Sequence, residues 1–90
     1  MPVTFDPAKR ERTLAERGLD FADAQLVFDS VLTENPDDRF EYGEERRITV
    51  GLIRDRMVVV VWTRRGEDYH VISMRKANER EQRRYGKQLG

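Results

Sequence analysis

The side chains best suited to chemistry in this 90-residue chain are basic, and they gather towards its C-terminal end. Arg75 and Lys76 come at the end of a strand-like segment and directly before a predicted helix. That helix carries four further cations, Arg80, Arg83, Arg84 and Lys87. Because residues three and four apart share one side of a helix, these cations form a basic surface that suits a phosphodiester. The alternative is an arginine-rich helix that is only solvated and paired with Glu79 and Glu81.

Five other positions are candidates for the same site. His70 is the only histidine, and its ordinary pKa near neutrality would let it act as a general acid or base, although a strand histidine is more often a packing or surface residue. Tyr85 could stack on a base or donate a proton, with docking of the last helix as the alternative. Arg64 and Arg65 form a predicted hairpin tip, where arginines commonly serve solubility, and the sequence assigns Lys9 no partner.

Several kinds of site are excluded by what the sequence lacks. Without cysteine there is no disulfide, thiol nucleophile or cysteine metal site, and one histidine cannot build a zinc centre. No serine triad, glycine-rich phosphate loop or pair of catalytic carboxylates has the required spacing. We therefore expect neither a metal nor any other cofactor.

Length, composition and charge constrain this site further. The 90 residues suffice for one domain over 1–90, and 38% hydrophobic residues with a mean hydropathy of −0.80 leave a small core. The stretch Asp20–Glu45 has a net charge of −8 and residues 64–90 have +4, so a phosphate-binding surface should lie C-terminal. The longest apolar run, Met57–Trp62, is far shorter than the about 20 residues that cross a bilayer. With no secretory signal visible, we expect a cytoplasmic protein that does not engage a membrane.

Helix signals dominate the N-terminal third. The pair Asp6-Pro7 is typical of a helix start and Gly18 of a helix end, which predicts a first helix over Pro7–Arg17. Asp20 can cap a second helix, whose apolar residues recur three and four apart as far as about Ser30.

Strand signals follow. After a short strand over Val31–Glu34 and a turn at 35–38, a polar loop runs to Glu45. Three segments joined by short turns then form an antiparallel meander, Arg47–Ile53, Met57–Thr63 and Tyr69–Met74. The middle strand is apolar on both faces and should be central. In the third strand, alternation would place Tyr69, Val71 and Ser73 on one face and His70, Ile72 and Met74 on the other.

The last element is a helix. Asn78 with Glu81 three residues later predicts a capping box, and the helix should run to about Leu89. The predicted fold class is therefore α+β, a small antiparallel sheet with two N-terminal helices and one C-terminal helix.

A series of short motifs runs along nearly the whole chain in a recognisable order. They are Phe5-Asp6-Pro7-Ala8-Lys9, Gly18-Leu19-Asp20-Phe21, Ala24 with Val27-Phe28-Asp29, Glu44-Glu45-Arg46 with Val50-Gly51-Leu52, Val59-Val60-Val61-Trp62-Thr63-Arg64-Arg65-Gly66, and Ile72-Ser73-Met74-Arg75-Lys76-Ala77 with Glu81 and Tyr85. In this series the chain resembles the BrnT family of toxins, the ribonuclease components of bacterial type II toxin–antitoxin pairs. The family commonly has asparagine, histidine, arginine and alanine where this chain has Thr13, Arg17, His70 and Met74.

The resemblance implies a RelE-like fold and RNA cleavage that arrests translation. In such nucleases the 2′-hydroxyl of the RNA attacks the adjacent phosphate without a metal ion, and basic side chains stabilise the developing charge. The resemblance also implies a BrnA-like antitoxin in a hetero-oligomer, with a toxin dimer as one arrangement. Operator DNA would be contacted only through the antitoxin, by which the complex represses its own operon.

Residues and resemblance together predict two groups of site residues. The catalytic candidates are Arg64, His70, Arg75, Lys76 and Tyr85. The candidates for RNA binding are Lys9, Arg65, Arg80, Arg83, Arg84 and Lys87. The alternative function is a non-catalytic module that binds nucleic acid or a protein through the basic helix, or a structural half of an obligate complex whose basic surface receives an acidic antitoxin segment.

Overall fold

The computed structural model describes residues 2–39, 41 and 43–89. Within these residues the strands are β1 (Val3–Phe5), β2 (Thr33–Pro36), β3 (Arg46–Ile53), β4 (Arg56–Arg65) and β5 (Asp68–Lys76). The α-helices are α1 (Pro7–Arg17), α2 (Ala24–Phe28) and α3 (Glu79–Gly86), with short 3-10 turns at Phe21–Asp23 and Lys87–Leu89. No helix in this part of the chain is long and apolar enough to cross a membrane.

The strands form one sheet in the order β1-β5-β4-β3-β2, which confirms the predicted α+β class. The meander β3-β4-β5 is antiparallel as predicted, with β4 in the centre. The prediction of a purely antiparallel sheet was wrong, because β1 pairs with β5 in parallel. With three residues before the Asp6-Pro7 helix start, β1 is too short to show the alternation that identifies a strand.

The first helix has the predicted bounds because its ends are set locally. The Asp6 carboxylate accepts a hydrogen bond from the Ala8 backbone N–H at 3.0 Å, Pro7 occupies the first turn, and Gly18 ends the helix at a φ of 69°. That left-handed conformation favours glycine, which has no Cβ to clash.

The next two elements differ from their predictions. Asp20 caps a 3-10 turn, and α2 ends at Phe28, two residues before Ser30. The Ser30 hydroxyl accepts from the Leu52 N–H at 2.9 Å and so ties the chain to β3. Strand β2 begins at Thr33 and includes Asn35 and Pro36, two of the four residues expected to turn, because a proline such as Pro36 is tolerated on an edge strand.

Each face of the sheet is covered by different helices. On one face, here called the α2 face, Val58, Val60 and Trp62 of β4 pack against residues of the N-terminal helices, among them Phe21, Ala24 and Val27. On the other, the α3 face, Met57 and Val59 pack with Val50, Ala77 and Tyr85. The alternation along β4 thus provides a core on both faces.

A β-bulge in β5 changes which residues share a face. Trp62 pairs with Val71 and Val61 pairs with Ser73, so Ile72 is an extra residue on β5. Val71 and Met74 consequently lie in one core on the α2 face, which contradicts the regular alternation predicted for this strand. A sequence pattern of period two cannot reveal where an extra residue is inserted.

Gly51 allows α2 to approach β3 closely. A Cβ added there would lie 2.5 Å from the Val27 carbonyl oxygen and 3.0 Å from its Cγ1 atom. The absence of a side chain at this one position of β3 therefore determines how closely α2 can approach the sheet.

Candidate functional site

The bulge brings the two best candidates for chemistry to the same face. His70 lies opposite Thr63, and Arg75 lies opposite Val59, so both project from the α3 face. In an unbulged strand, residues five positions apart would face opposite ways. Their β4 partners are four residues apart, which separates His70 from Arg75 by about 13 Å along the sheet.

His70 lies at the end of this face that is remote from α3. Its Nδ1 atom is 2.9 Å from the hydroxyl of Thr4, the neighbouring residue on β1. Burial lowers the pKa of His70 below its ordinary value, and the positive charges of Arg65 and Lys9 lower it further, against the raising effects of Glu44 and Asp6. The imidazole is therefore neutral at neutral pH and able to accept a proton.

Arg75 is held by the start of α3. Its guanidinium donates to both carboxylate oxygens of Glu81, at 2.7 and 2.9 Å. Glu81 also accepts from the Asn78 N–H at 2.9 Å, while the Asn78 side chain accepts from the Glu81 N–H at 2.8 Å, so the predicted capping box is confirmed. The hydrogen bonds from Arg75 lower the pKa of Glu81 and raise that of Arg75. This pair fixes α3 to the end of β5.

Tyr85 docks α3 on the sheet. Its half-buried ring packs against the core of Val50, Met57, Val59 and Ala77. The Arg84 guanidinium lies 5.6 Å from the centre of the same ring. Docking of the helix, one of the two roles considered for Tyr85, is therefore observed.

The cations of α3 face solvent. Arg80, Arg83, Arg84 and Lys87 are all exposed. Arg83 lies 3.9 Å from Glu79, one helical turn away, and both side chains are largely solvated. A pair of this kind contributes little to stability, so the cation remains available to an anionic ligand.

Two predicted catalytic residues lie on the other face. Arg64 stacks over the Tyr69 ring at 5.5 Å, and Lys76 pairs with Val58, a residue of the α2 face. Arg64 lines a groove of about 680 Å³ that also contains Trp62 and Glu34. The structure therefore separates Arg64 and Lys76 from His70 and Arg75.

Lys9 and Arg65 come from different elements, but both lie close enough to His70 to lower its pKa. The Lys9 ammonium donates to the Ile72 carbonyl at the bulge, at 3.3 Å. Arg65 is exposed near the end of β4. The partner that the sequence could not assign to Lys9 is thus a backbone carbonyl.

Sequence reasoning missed Thr4 and Glu44. Thr4 belongs to the strand that the sequence did not predict, and Glu44 lies in the polar loop before β3, where no periodicity places a side chain. Within residues 2–39, 41 and 43–89, no group of three or more histidine, aspartate or glutamate side chains could hold a metal ion.

A comparison with protein families identifies most of the chain. The sequence model of a family described as "Ribonuclease toxin, BrnT, of type II toxin-antitoxin system" matches residues 5–81. The matched stretch runs from the last residue of β1 into the first turn of α3 and includes both His70 and Arg75. No curated protein matches the chain.

Proposed function

The chain belongs to the BrnT family of ribonuclease toxins from type II toxin–antitoxin systems, and from this premise we propose that it cleaves RNA without a metal ion or other cofactor. The family match over most of the chain is the observation that carries the proposal. The basic and titratable side chains of the α3 face support it, because RNA cleavage needs a proton acceptor and cations near the reacting phosphate.

The proposed reaction is attack by the RNA on itself. The 2′-hydroxyl gives its proton to a base, and its oxygen forms a bond to the adjacent phosphorus. The bond between phosphorus and the 5′-oxygen breaks, and that oxygen takes up a proton. The products are a 2′,3′-cyclic phosphate and a 5′-hydroxyl, so neither an oxidant nor a co-substrate is needed.

The site residues take distinct proposed roles according to their positions. His70 and Arg65 lie at the open end of the α3 face, where the phosphate would react, and Arg75 with Tyr85 bounds the other end. The surrounding cations would bind the RNA backbone, namely Lys9, Arg80, Arg83, Arg84 and Lys87. Arg64 and Lys76, on the opposite face, would contact only RNA that extends around the edge of the sheet. Backbone contacts of this kind supply affinity without reading sequence.

Membership of a type II system implies an antitoxin partner. We propose that this partner is BrnA-like, that it covers the basic C-terminal surface, and that the hetero-oligomer represses its own operon. A RelE-like arrangement of the sheet and helices, and cytoplasmic action on RNA during translation, belong to the same proposal.

Cleavage of an end-labelled RNA by the purified protein in excess EDTA tests this function. We expect cleavage to persist and the 3′ ends to carry a cyclic phosphate, identifiable by mass spectrometry. Loss of activity in EDTA that returns with added magnesium would refute the metal-independent mechanism.

A non-catalytic module that binds through α3 is the second candidate. The solvated cations of α3 favour it, because they lie outside the matched stretch except for Arg80. Intact RNA that nevertheless binds in the same EDTA assay would support this alternative over the enzyme.

A further inference from the structure

An unpredicted contact links the first strand to the only histidine. Strand β1 pairs in parallel with β5, and the register sets Thr4 beside His70. The Thr4 hydroxyl oxygen is 2.9 Å from His70 Nδ1, and both residues are half-buried. The Tyr69 N–H donates to the Pro2 carbonyl at 2.9 Å, which fixes β1 against the strand that carries His70.

We propose that Thr4 is a positioning residue for RNA cleavage, which accepts a hydrogen bond from Nδ1–H of His70 and so presents the bare Nε2 atom to the 2′-hydroxyl. This inference rests on the proposed ribonuclease function and deepens it. In a neutral imidazole one nitrogen carries the proton, and the hydrogen bond made by the other nitrogen decides which one it is. With the proton held at Nδ1, Nε2 is the atom that takes the proton of the attacking hydroxyl.

The surroundings of His70 favour its neutral form, which is the form that can accept a proton. Arg65 from β4 and Lys9 from α1 are positive, whereas Glu44 from the loop before β3 and Asp6 before α1 are negative. The lowering effects of burial and the two cations outweigh the raising effects of the two carboxylates, so the pKa of His70 lies below its ordinary value. The same cations would face the phosphate on which negative charge develops.

The direction of the hydrogen bond makes the proposal testable without any RNA. If Nδ1–H donates to Thr4, the bond survives protonation of the ring and strengthens, because charged donors form stronger hydrogen bonds. Thr4→Val should then lower the pKa of His70. If the Thr4 hydroxyl instead donates to Nδ1, protonation abolishes the bond, and Thr4→Val should raise the pKa.

NMR titration of the intact protein, with nitrogen-15 shifts to report the tautomer, measures both properties. We expect an Nδ1–H tautomer in the wild type and in Thr4→Ser, and a lower pKa in Thr4→Val. An Nε2–H tautomer, or a higher pKa in Thr4→Val, would overturn the proposal. Thr33→Val is the matched control, since it makes the same change at a half-buried position of the opposite edge strand.

The rate of RNA cleavage against pH completes the test. The cleavage rate should fall about 100-fold in His70→Gln and in His70→Arg, because neither side chain can accept the proton at neutral pH. Thr4→Val should lose about tenfold, with its pH midpoint displaced downwards, whereas Thr4→Ser and Thr33→Val should match the wild type. Wild-type rates in Thr4→Val or His70→Arg would refute the positioning role and leave the ribonuclease function standing. Failure of the wild type to cleave RNA would refute both.

Discussion

The two faces of the sheet use the same strands for different purposes. The α2 face packs Val58, Val60, Trp62, Val71 and Met74, all 3% exposed or less, against the N-terminal helices. On the α3 face an apolar cluster packs with Tyr85 towards one end, where Arg75 also lies, while His70 and Arg65 lie at the other end. The α2 face can therefore supply most of the stability, while titratable groups remain on the α3 face. This division predicts that substitutions on the α2 face chiefly affect folding and substitutions on the α3 face chiefly affect activity.

The largest expected effect on stability comes from closing the gap between α2 and β3. Gly51→Ala places a methyl group 2.5 Å from the Val27 carbonyl and should lower the free energy of unfolding by about 2–3 kcal/mol. Gly86→Ala is the control, because nothing lies within 4 Å of a Cβ there, and it should stabilise α3 slightly. Urea denaturation measures both. Equal stability of the two variants would show that α2 is not closely seated on the sheet.

Two adjacent valines of β4 compare the faces directly. Val60 is fully buried on the α2 face, and its neighbour Val61 is half-buried on the α3 face. Val60→Ala should cost about 2 kcal/mol and Val61→Ala about half as much or less, because the loss scales with the apolar contact removed. If urea denaturation gives the same loss for both, the contrast between the faces is wrong.

Charge reversal on α3 tests whether substitutions there affect RNA binding and leave stability nearly unchanged. Arg80→Glu with Arg84→Glu should weaken RNA binding about tenfold or more at physiological salt, and should also make binding less salt-dependent, with little loss of stability. The control replaces the exposed Asp29 and Asp38 by asparagine; Asp37 is unsuitable because it is buried and paired with Arg39. Fluorescence anisotropy at two salt concentrations measures the RNA affinity of both double variants. Unchanged binding in the arginine variant would mean that RNA docks elsewhere.

The smallest expected effect on stability concerns the pair between Arg75 and Glu81. Its partial exposure limits the loss in Arg75→Ala to about 1 kcal/mol or less. Glu81 has a lowered pKa, so the contribution of the pair is full above the ordinary glutamate pKa and is lost as pH falls through the lowered one. Thermal unfolding as a function of pH measures this loss, which should be absent in Glu81→Gln.

Activity assays of the same two variants separate two roles for Arg75. A side chain that only docks α3 should give equal losses of cleavage in Arg75→Ala and Glu81→Gln. A side chain that also contacts RNA should give a much larger loss in Arg75→Ala. The second outcome is expected if Arg75 belongs to the proposed site.

The features that the sequence predicts well are those determined by neighbouring residues. The bounds of α1 follow from Asp6, Pro7 and Gly18, and the capping box of α3 from Asn78 and Glu81. The meander follows from alternation and short turns.

The features that the sequence does not predict depend on distant residues. The pairing of β1 with β5 and the bulge at Ile72 are decided by contacts with other strands. Both features shape the candidate site, because the bulge places His70 and Arg75 on the same face and β1 supplies Thr4. The predicted group also contained Arg64 and Lys76, which the register assigns to the opposite face.

The parallel pairing of β1 with β5 has a consequence for synthesis on the ribosome. Thr4 leaves the ribosome well before its hydrogen-bond partner His70, which is 66 positions later in the chain. Contacts of such long sequence separation form late in folding, because the intervening chain must first be ordered. A nascent chain therefore cannot form the Thr4–His70 contact until His70 itself has been translated and β5 has paired with β1. If that contact is needed for cleavage, the chain stays inactive while residues 4–70 are being synthesised.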